Sequence, residues 1–185
     1  GQTINMVGDI STQGTQGVQA GGIYFADGIF MRDDNDNNTI NITGDITTTG
    51  VGASAIRNIN GTNNTFNITG DIITTGEGAS YAVWTNGGSG NNLNITGDIT
   101  TSGFMGYGYI FQNTTGNTLN MSGDITTTGV GAIGLDFILG ASNNTVVMTG
   151  NISTADINSH AVRNIAANSN TITITGNLST SGDGS

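Results

Sequence analysis

Aligned on a recurring Gly-Asp step, the chain resolves into columns of apolar and polar residues that persist from one end to the other. The step occurs at Gly8-Asp9, Gly44-Asp45, Gly70-Asp71, Gly97-Asp98 and Gly123-Asp124, and continues as Gly150-Asn151 and Gly176-Asn177. Five residues before each Asp or Asn stands Ile4, Ile40, Phe66, Leu93, Leu119, Val146 or Ile172, and three before stands Met6, Ile42, Ile68, Ile95, Met121, Met148 or Ile174. Positions two apart share one face of a strand, so this stretch predicts a first strand with two inward side chains. A second strand starts directly after the step with Ile10, Ile46, Ile72, Ile99, Ile125, Ile152 or Leu178. Two residues further lies a column made only of threonine, from Thr12 and Thr48 to Thr154 and Thr180. Alternation turns that threonine inward too, where its hydroxyl is expected to bond backbone or the threonine of the next unit. A third, less regular strand is expected at Ala55 to Ile59, Ala82 to Trp84, Gly108 to Phe111, Gly134 to Phe137 and Ala161 to Ile165.

After one interval of 36 residues the step returns at 26, 27, 26, 27 and 26. A period of this size, with three short strands per unit, predicts an all-β fold: a parallel β-helix, or β-solenoid, in which each coil buries its face against the next. Residues 1–185 then form one repeat domain of about seven coils, with a first coil over 1–37 that carries an insertion and regular coils over 38–185. The surplus in the first coil is expected around Gly14 to Ala20 and in Phe30 to Asn37, as loops projecting from the stack. Turns flanking the third strand account for the alternation of 26 and 27. Rows spaced about 4.8 Å apart make a stack roughly 33 Å long. No amphipathic cap is seen at either end, which predicts a segment of a longer solenoid or a subunit that stacks on copies of itself.

Charge narrows the partners. Only Arg32, Arg57 and Arg163 are basic, lysine is absent, and the net charge is −10, which argues against a nucleic-acid groove or a polybasic membrane patch. No apolar run reaches the length of a membrane helix, so membrane insertion is not expected. The absence of cysteine removes disulfides, thiolate metal sites and cysteine nucleophiles.

The glycine of the step predicts a corner needing positive φ or close backbone approach. An asparagine column, Asn38, Asn64, Asn91, Asn117, Asn144 and Asn170, with Gln2 in the first coil, predicts an amide ladder along the axis. Asp45, Asp71, Asp98 and Asp124, with Asp9 before them, stand one row apart. Unit charges at that spacing repel by about 0.9 kcal/mol in water and more in a less polar setting. Two arrangements offset this: each carboxylate accepts turn N–H groups, or a divalent cation such as calcium bridges adjacent coils. The alternating acidic and amide oxygens of Asp33, Asp34, Asn35, Asp36 and Asn37 form a second calcium candidate beside the plainer reading of a solvated acidic loop. It lacks the glycine and closing glutamate of an EF-hand. No cofactor is otherwise required.

Outward-pointing Thr47 and Thr49, Thr100 and Ser102, Thr126 and Thr128, and Ser179 and Ser181 predict a flat hydroxyl array, similar to the ice-binding faces of some β-solenoids. Gln13, Ile73 and Ala155 interrupt it. Aromatic residues gather in the third strand, and Tyr81, Trp84, Tyr107 and Tyr109 are candidates for a glycan platform or lateral interface, with some of them lining the core. Arg57 and Arg163 occupy matching repeat positions. His160 is the only histidine, so no histidine cluster exists, and the reading is of a protein that is not an enzyme.

The phrase Gly-Asp-Ile-Thr-Thr-Thr-Gly-x-Gly-Ala, at Gly44 to Ala53 and again at Gly123 to Ala132, resembles the degenerate repeats in passenger domains of bacterial autotransporters and related large surface adhesins. The resemblance covers essentially the whole chain. It implies a right-handed parallel β-helix, export to the bacterial cell surface or beyond, and a role in adhesion, aggregation or a biofilm matrix. It carries no catalytic residue to any position here. The expected function is therefore an extracellular structural or adhesive solenoid, a surface-adhesin segment or a filament subunit stacked head to tail. The alternative is a solenoid that binds ice or glycan through its threonine-rich or aromatic face.

Overall fold

The computed structural model describes all residues except Thr15, Gln16, Ala20, Gly21, Asp34 and Ser185, together with the backbone alone of Gly17–Gln19 and Gly22–Tyr24. It is a right-handed parallel β-solenoid with three strands per coil and six full turns, followed by two strands of a further turn. Sheet 1 stacks Thr3–Val7, Thr39–Thr43, Thr65–Thr69, Asn92–Thr96, Thr118–Ser122, Thr145–Thr149 and Thr171–Thr175. Sheet 2 stacks Ile10–Thr12, Ile46–Thr48, Ile72–Thr74, Ile99–Ser102, Ile125–Thr128, Ile152–Ala155 and Leu178–Ser181. Sheet 3 stacks Ile29–Arg32, Ile56–Ile59, Tyr81–Asn86, Tyr107–Gln112, Ile133–Ile138 and His160–Ile165.

The predicted columns meet in register. Ile40 lies opposite Phe66, Phe66 opposite Leu93, and Leu93 opposite Leu119, while Ile46, Ile72, Ile99 and Ile125 form the matching row of sheet 2. These side chains are buried and belong to one continuous core. The period places one such set in every coil, and stacking removes it from water, which is the main source of stability in a chain whose coils cannot fold alone. Where no coil lies above or below, the same columns are exposed: Ile4 by 56% and Leu178 by 54%.

Each glycine of the step sits in the left-handed region, from φ 131° at Gly8 to 159° at Gly176. At Gly97 a Cβ would overlap the carbonyl of Gly70 in the preceding coil. Both expected causes therefore act together. Where the fourth and fifth coils meet, glycine has a different use: a Cβ on Gly108 would come 2.6 Å from the Gly134 carbonyl oxygen and 2.7 Å from Ile125. Sheet 3 approaches sheet 2 too closely there for any larger residue.

Two expectations are corrected by the register. Phe30 to Arg32 is not surplus but most of the first strand of sheet 3, with Ile29 opposite Ile56. Nearly all the insertion falls before it, between the rows of Ile10 and Ile29, and contains the antiparallel pair Gly17–Gln19 and Gly22–Tyr24. The inward threonines from Thr48 to Thr154 are buried as expected, while Thr12 is half-buried and Thr180 exposed at the ends; yet the hydroxyls of Thr48, Thr74, Thr127 and Thr154 have no partner. Only where a chain segment comes close do they bond: Thr12 donates to the Ala26 carbonyl at 2.7 Å and Thr101 to the Gly106 carbonyl at 3.3 Å.

The alternation of 26 and 27 residues has two sources. The turn leading into Tyr81–Asn86 is one residue longer than its neighbours, as is the turn leaving Ile133–Ile138.

Candidate functional site

Two polar ladders run along the axis in opposite senses. In the first, each backbone N–H at the Asp position donates to the side chain of the preceding coil. Asp45 donates to Asp9 Oδ1 at 2.9 Å, Asp71 to Asp45, Asp98 to Asp71 and Asp124 to Asp98 at 2.8 Å, Asn151 to Asp124 at 2.7 Å, and Asn177 to Asn151 at 2.9 Å. In the second, each N–H at the Asn position donates to the following coil. Asn64 donates to Asn91 Oδ1 at 3.0 Å, Asn91 to Asn117 at 2.8 Å, Asn117 to Asn144 at 2.9 Å and Asn144 to Asn170 at 2.9 Å.

The carboxylates of Asp45 and Asp98 are exposed and those of Asp71 and Asp124 partly so, which lets water and salt screen their repulsion. One oxygen of each is committed to the next coil. For Asp45, Asp71 and Asp98 the second oxygen is left to solvent or a cation. Asp33 pairs with Arg32 at 2.9 Å and accepts from the Asn60 amide at 2.9 Å, and the latter bond holds its carboxyl below the usual carboxylate range. Asp36 accepts from the Thr62 N–H at 2.7 Å, and Asp34 lies outside the described residues. Among the described residues no group of three or more acidic or histidine side chains converges as a metal site would. Sequence reasoning missed a third ladder, on the outer face of sheet 1. There Asn41, Asn67, Asn94 and Asn120 each donate to the amide oxygen of the coil before, at 2.7 to 2.9 Å. Its signal was visible as an asparagine between the two apolar columns.

The outer face of sheet 3 is where the chain departs most from a polar surface. Ala82 and Val83 both belong to the core, so strict alternation fails and Tyr81 and Trp84, three residues apart, both stand outside. The same shift in the next coil puts Tyr107 and Ile110 outside and Tyr109 inside. Tyr109 is therefore corrected from platform to core: it is fully buried, stacks on Phe111 at 4.0 Å, and burial pushes its phenol well above its ordinary pKa. Tyr81 stacks on Tyr107 at 5.3 Å and meets Trp84 edge-on at 5.5 Å. Tyr107 is itself covered by neighbours, with Arg163 over its ring at 5.6 Å.

Arg57 and Arg163 do share one column, which reads Phe30, Arg57, Trp84, Ile110, Asp136, Arg163. Arg163 clamps the fully buried Asp136 with two bonds of 2.9 and 2.7 Å, and this carboxylate raises the guanidinium's pKa. Arg57 is more unusual. Its side chain is 6% exposed, and it pairs with the equally buried Asp27 at 3.1 Å. It lies over Phe25 at 4.5 Å and Trp84 at 4.9 Å. Burial lowers the pKa of Arg57 and raises that of Asp27, each change opposed by the charge of the other. Nη2 also donates to the Gly52 carbonyl at 3.0 Å and the Ser54 hydroxyl at 3.3 Å, whereas Nε has no partner. Beside it opens a cavity of about 410 Å³ walled by Phe25, Tyr81, Trp84 and Ile59, with Val51 and Ala79 at its margin.

His160 lies half-buried in the row of Tyr81, Tyr107 and Ile133. On sheet 2, Thr47, Thr100, Thr126, Ser153 and Ser179 form an outward row in register, interrupted by Ile73. Among the described residues no helix is long and apolar enough to cross a membrane. No protein-family model matches the chain, and no match is found among curated proteins or solved structures, so the β-solenoid stands on its own coil geometry.

Proposed function

We propose that this chain is a structural and adhesive rod of the bacterial cell exterior, working as a spacer or contact segment of a surface adhesin or as a filament subunit. The observation that carries the reading is the polarity of the two axial ladders. An added coil at the C-terminal side would donate its N–H to Asn177 Oδ1 and offer its own amide oxygen to the N–H of Asn170. An added coil at the opposite side would meet the reverse pattern at Asp9 and Gln2. Coils therefore add in one orientation only. They do so whether they come from the same polypeptide or a second copy, and the exposed Ile4 and Leu178 gain burial when they do.

A rod stiffened in this way without disulfides suits the outside of a cell, and its acidic surface keeps it soluble. Electron microscopy of the 185-residue chain at micromolar concentration, with calcium and with chelator, tests the filament form. Filaments with an axial repeat of about 33 Å are expected. Short isolated rods under both conditions would remove the filament reading and leave the spacer. Filaments that dissolve on chelation would assign the free oxygens of the Asp ladder to calcium.

A further inference from the structure

The cavity beside Arg57 exists because the repeat is broken twice around it. Phe25 comes from the insertion of the first coil, and Gly78 and Ala79 come from the turn that is one residue longer than its neighbours. Between them lies Arg57, flanked in its column by Phe30 and Trp84. Among the described residues, an insertion and a lengthened turn flank an arginine at no other coil. The result is a site that no other coil repeats.

We propose that this cavity binds a neutral saccharide, with a pyranose ring against the aromatic walls and a hydroxyl oxygen accepting from the Arg57 guanidinium that lines it. The chemistry of the walls selects the ligand. Tyr81 and the parts of Phe25 and Trp84 that Arg57 leaves uncovered line the cavity with aromatic surface, which suits a ring with an apolar face. The charge of Arg57 is already balanced by Asp27 at 3.1 Å, and the chain as a whole carries −10, so an anionic ligand gains nothing and is repelled at long range. The rim is open to water: Val51 is 42% exposed and Ala79 is exposed. A polyhydroxylated ligand keeps its outer face solvated there, whereas a wholly apolar ligand would leave part of itself in water.

Trp84 is the only tryptophan of the chain, so its emission reports directly on the site. The protein is titrated through the millimolar range with glucose, galactose, mannose, N-acetylglucosamine and their disaccharides, and in parallel with glucuronate. A saturable change in emission with at least one neutral sugar is expected. Ala79→Leu, which fills the margin of the cavity without touching Arg57 or Asp27, should weaken that response at least tenfold at an unchanged melting temperature. A response to glucuronate tenfold tighter than to any neutral sugar overturns the neutral class. No saturable change with any of these sugars, or a response untouched by Ala79→Leu, overturns the site. The outcome is independent of the rod's assembly: filaments without a Trp84 response remove the site alone, and a response without filaments leaves it standing.

Discussion

At the scale of single residues, the repeat is enforced by glycine and tolerates imperfection in threonine. Gly97 at φ 141° cannot be replaced without both backbone strain and overlap with the coil beneath. The inward threonine is different: burial of Thr127 is complete, its hydroxyl is unpartnered, and such a group costs about 1–3 kcal/mol. Thr127→Val should therefore raise stability by about 1 kcal/mol, measured as a higher urea midpoint. A lower midpoint would mean that the hydroxyl has found an acceptor. The inward direction of this residue was legible from period-two alternation. Its missing partner was not, because hydrogen bonding depends on which backbone groups the neighbouring sheets leave free.

At the scale of the element, a coil is tied to the next by side-chain oxygens that cap the turn backbone, and charge is incidental to that task. Asn151 and Asn177 occupy the same position as the aspartates and accept or donate in the same pattern. Asp98→Asn should accordingly keep full stability at physiological salt and gain slightly at low salt, where like charges are least screened. Asp98→Ala leaves the Asp124 N–H without its acceptor and should cost about 1–3 kcal/mol by urea denaturation. Equal losses in both variants, abolished by chelation, would instead assign the ladder to a cation. The two turn-flanked strands of sheets 1 and 2 were legible because one apolar period runs through every copy. Sheet 3 was legible as strands but not as faces. Two consecutive inward residues, Ala82 and Val83, reverse the outward assignment on either side and turn Tyr109 into core.

At the scale of the whole molecule, the tyrosines of sheet 3 make stability sensitive to alkali. Burial is the largest cause of the raised pKa of Tyr81, Tyr107 and Tyr109; the charge of Asp136 adds to it for the first two, while Arg57 opposes it at Tyr81 and Arg163 at Tyr107. A phenol with a raised folded-state pKa keeps its proton after the unfolded chain has released its own. Its contribution is thus complete below about pH 10 and is lost as pH rises through the folded-state value. The chain contains neither lysine nor cysteine, so no other side chains of those kinds titrate in this window. The melting temperature should hold from about pH 8 to about pH 10 and fall above it, and Tyr107→Phe should flatten the fall. A profile that stays level above that point would show the phenols to be open to solvent.

The sequence alone determined the solenoid, its three strands per coil, its inward columns and the corner glycine. Each of these follows from local periodicity and backbone sterics that every copy repeats, so one copy checks another. Only the tertiary structure decided the opposed senses of the ladders, the orphaned threonine hydroxyls and the Arg57 cavity. Those depend on where unlike segments meet: the insertion that brings Phe25, the lengthened turn that brings Ala79, and Asp27, which neutralises a buried guanidinium across a coil boundary. Periodicity carries no information about a place where the period is broken, and such a place is resolved only when packing sets the distances between residues remote along the chain.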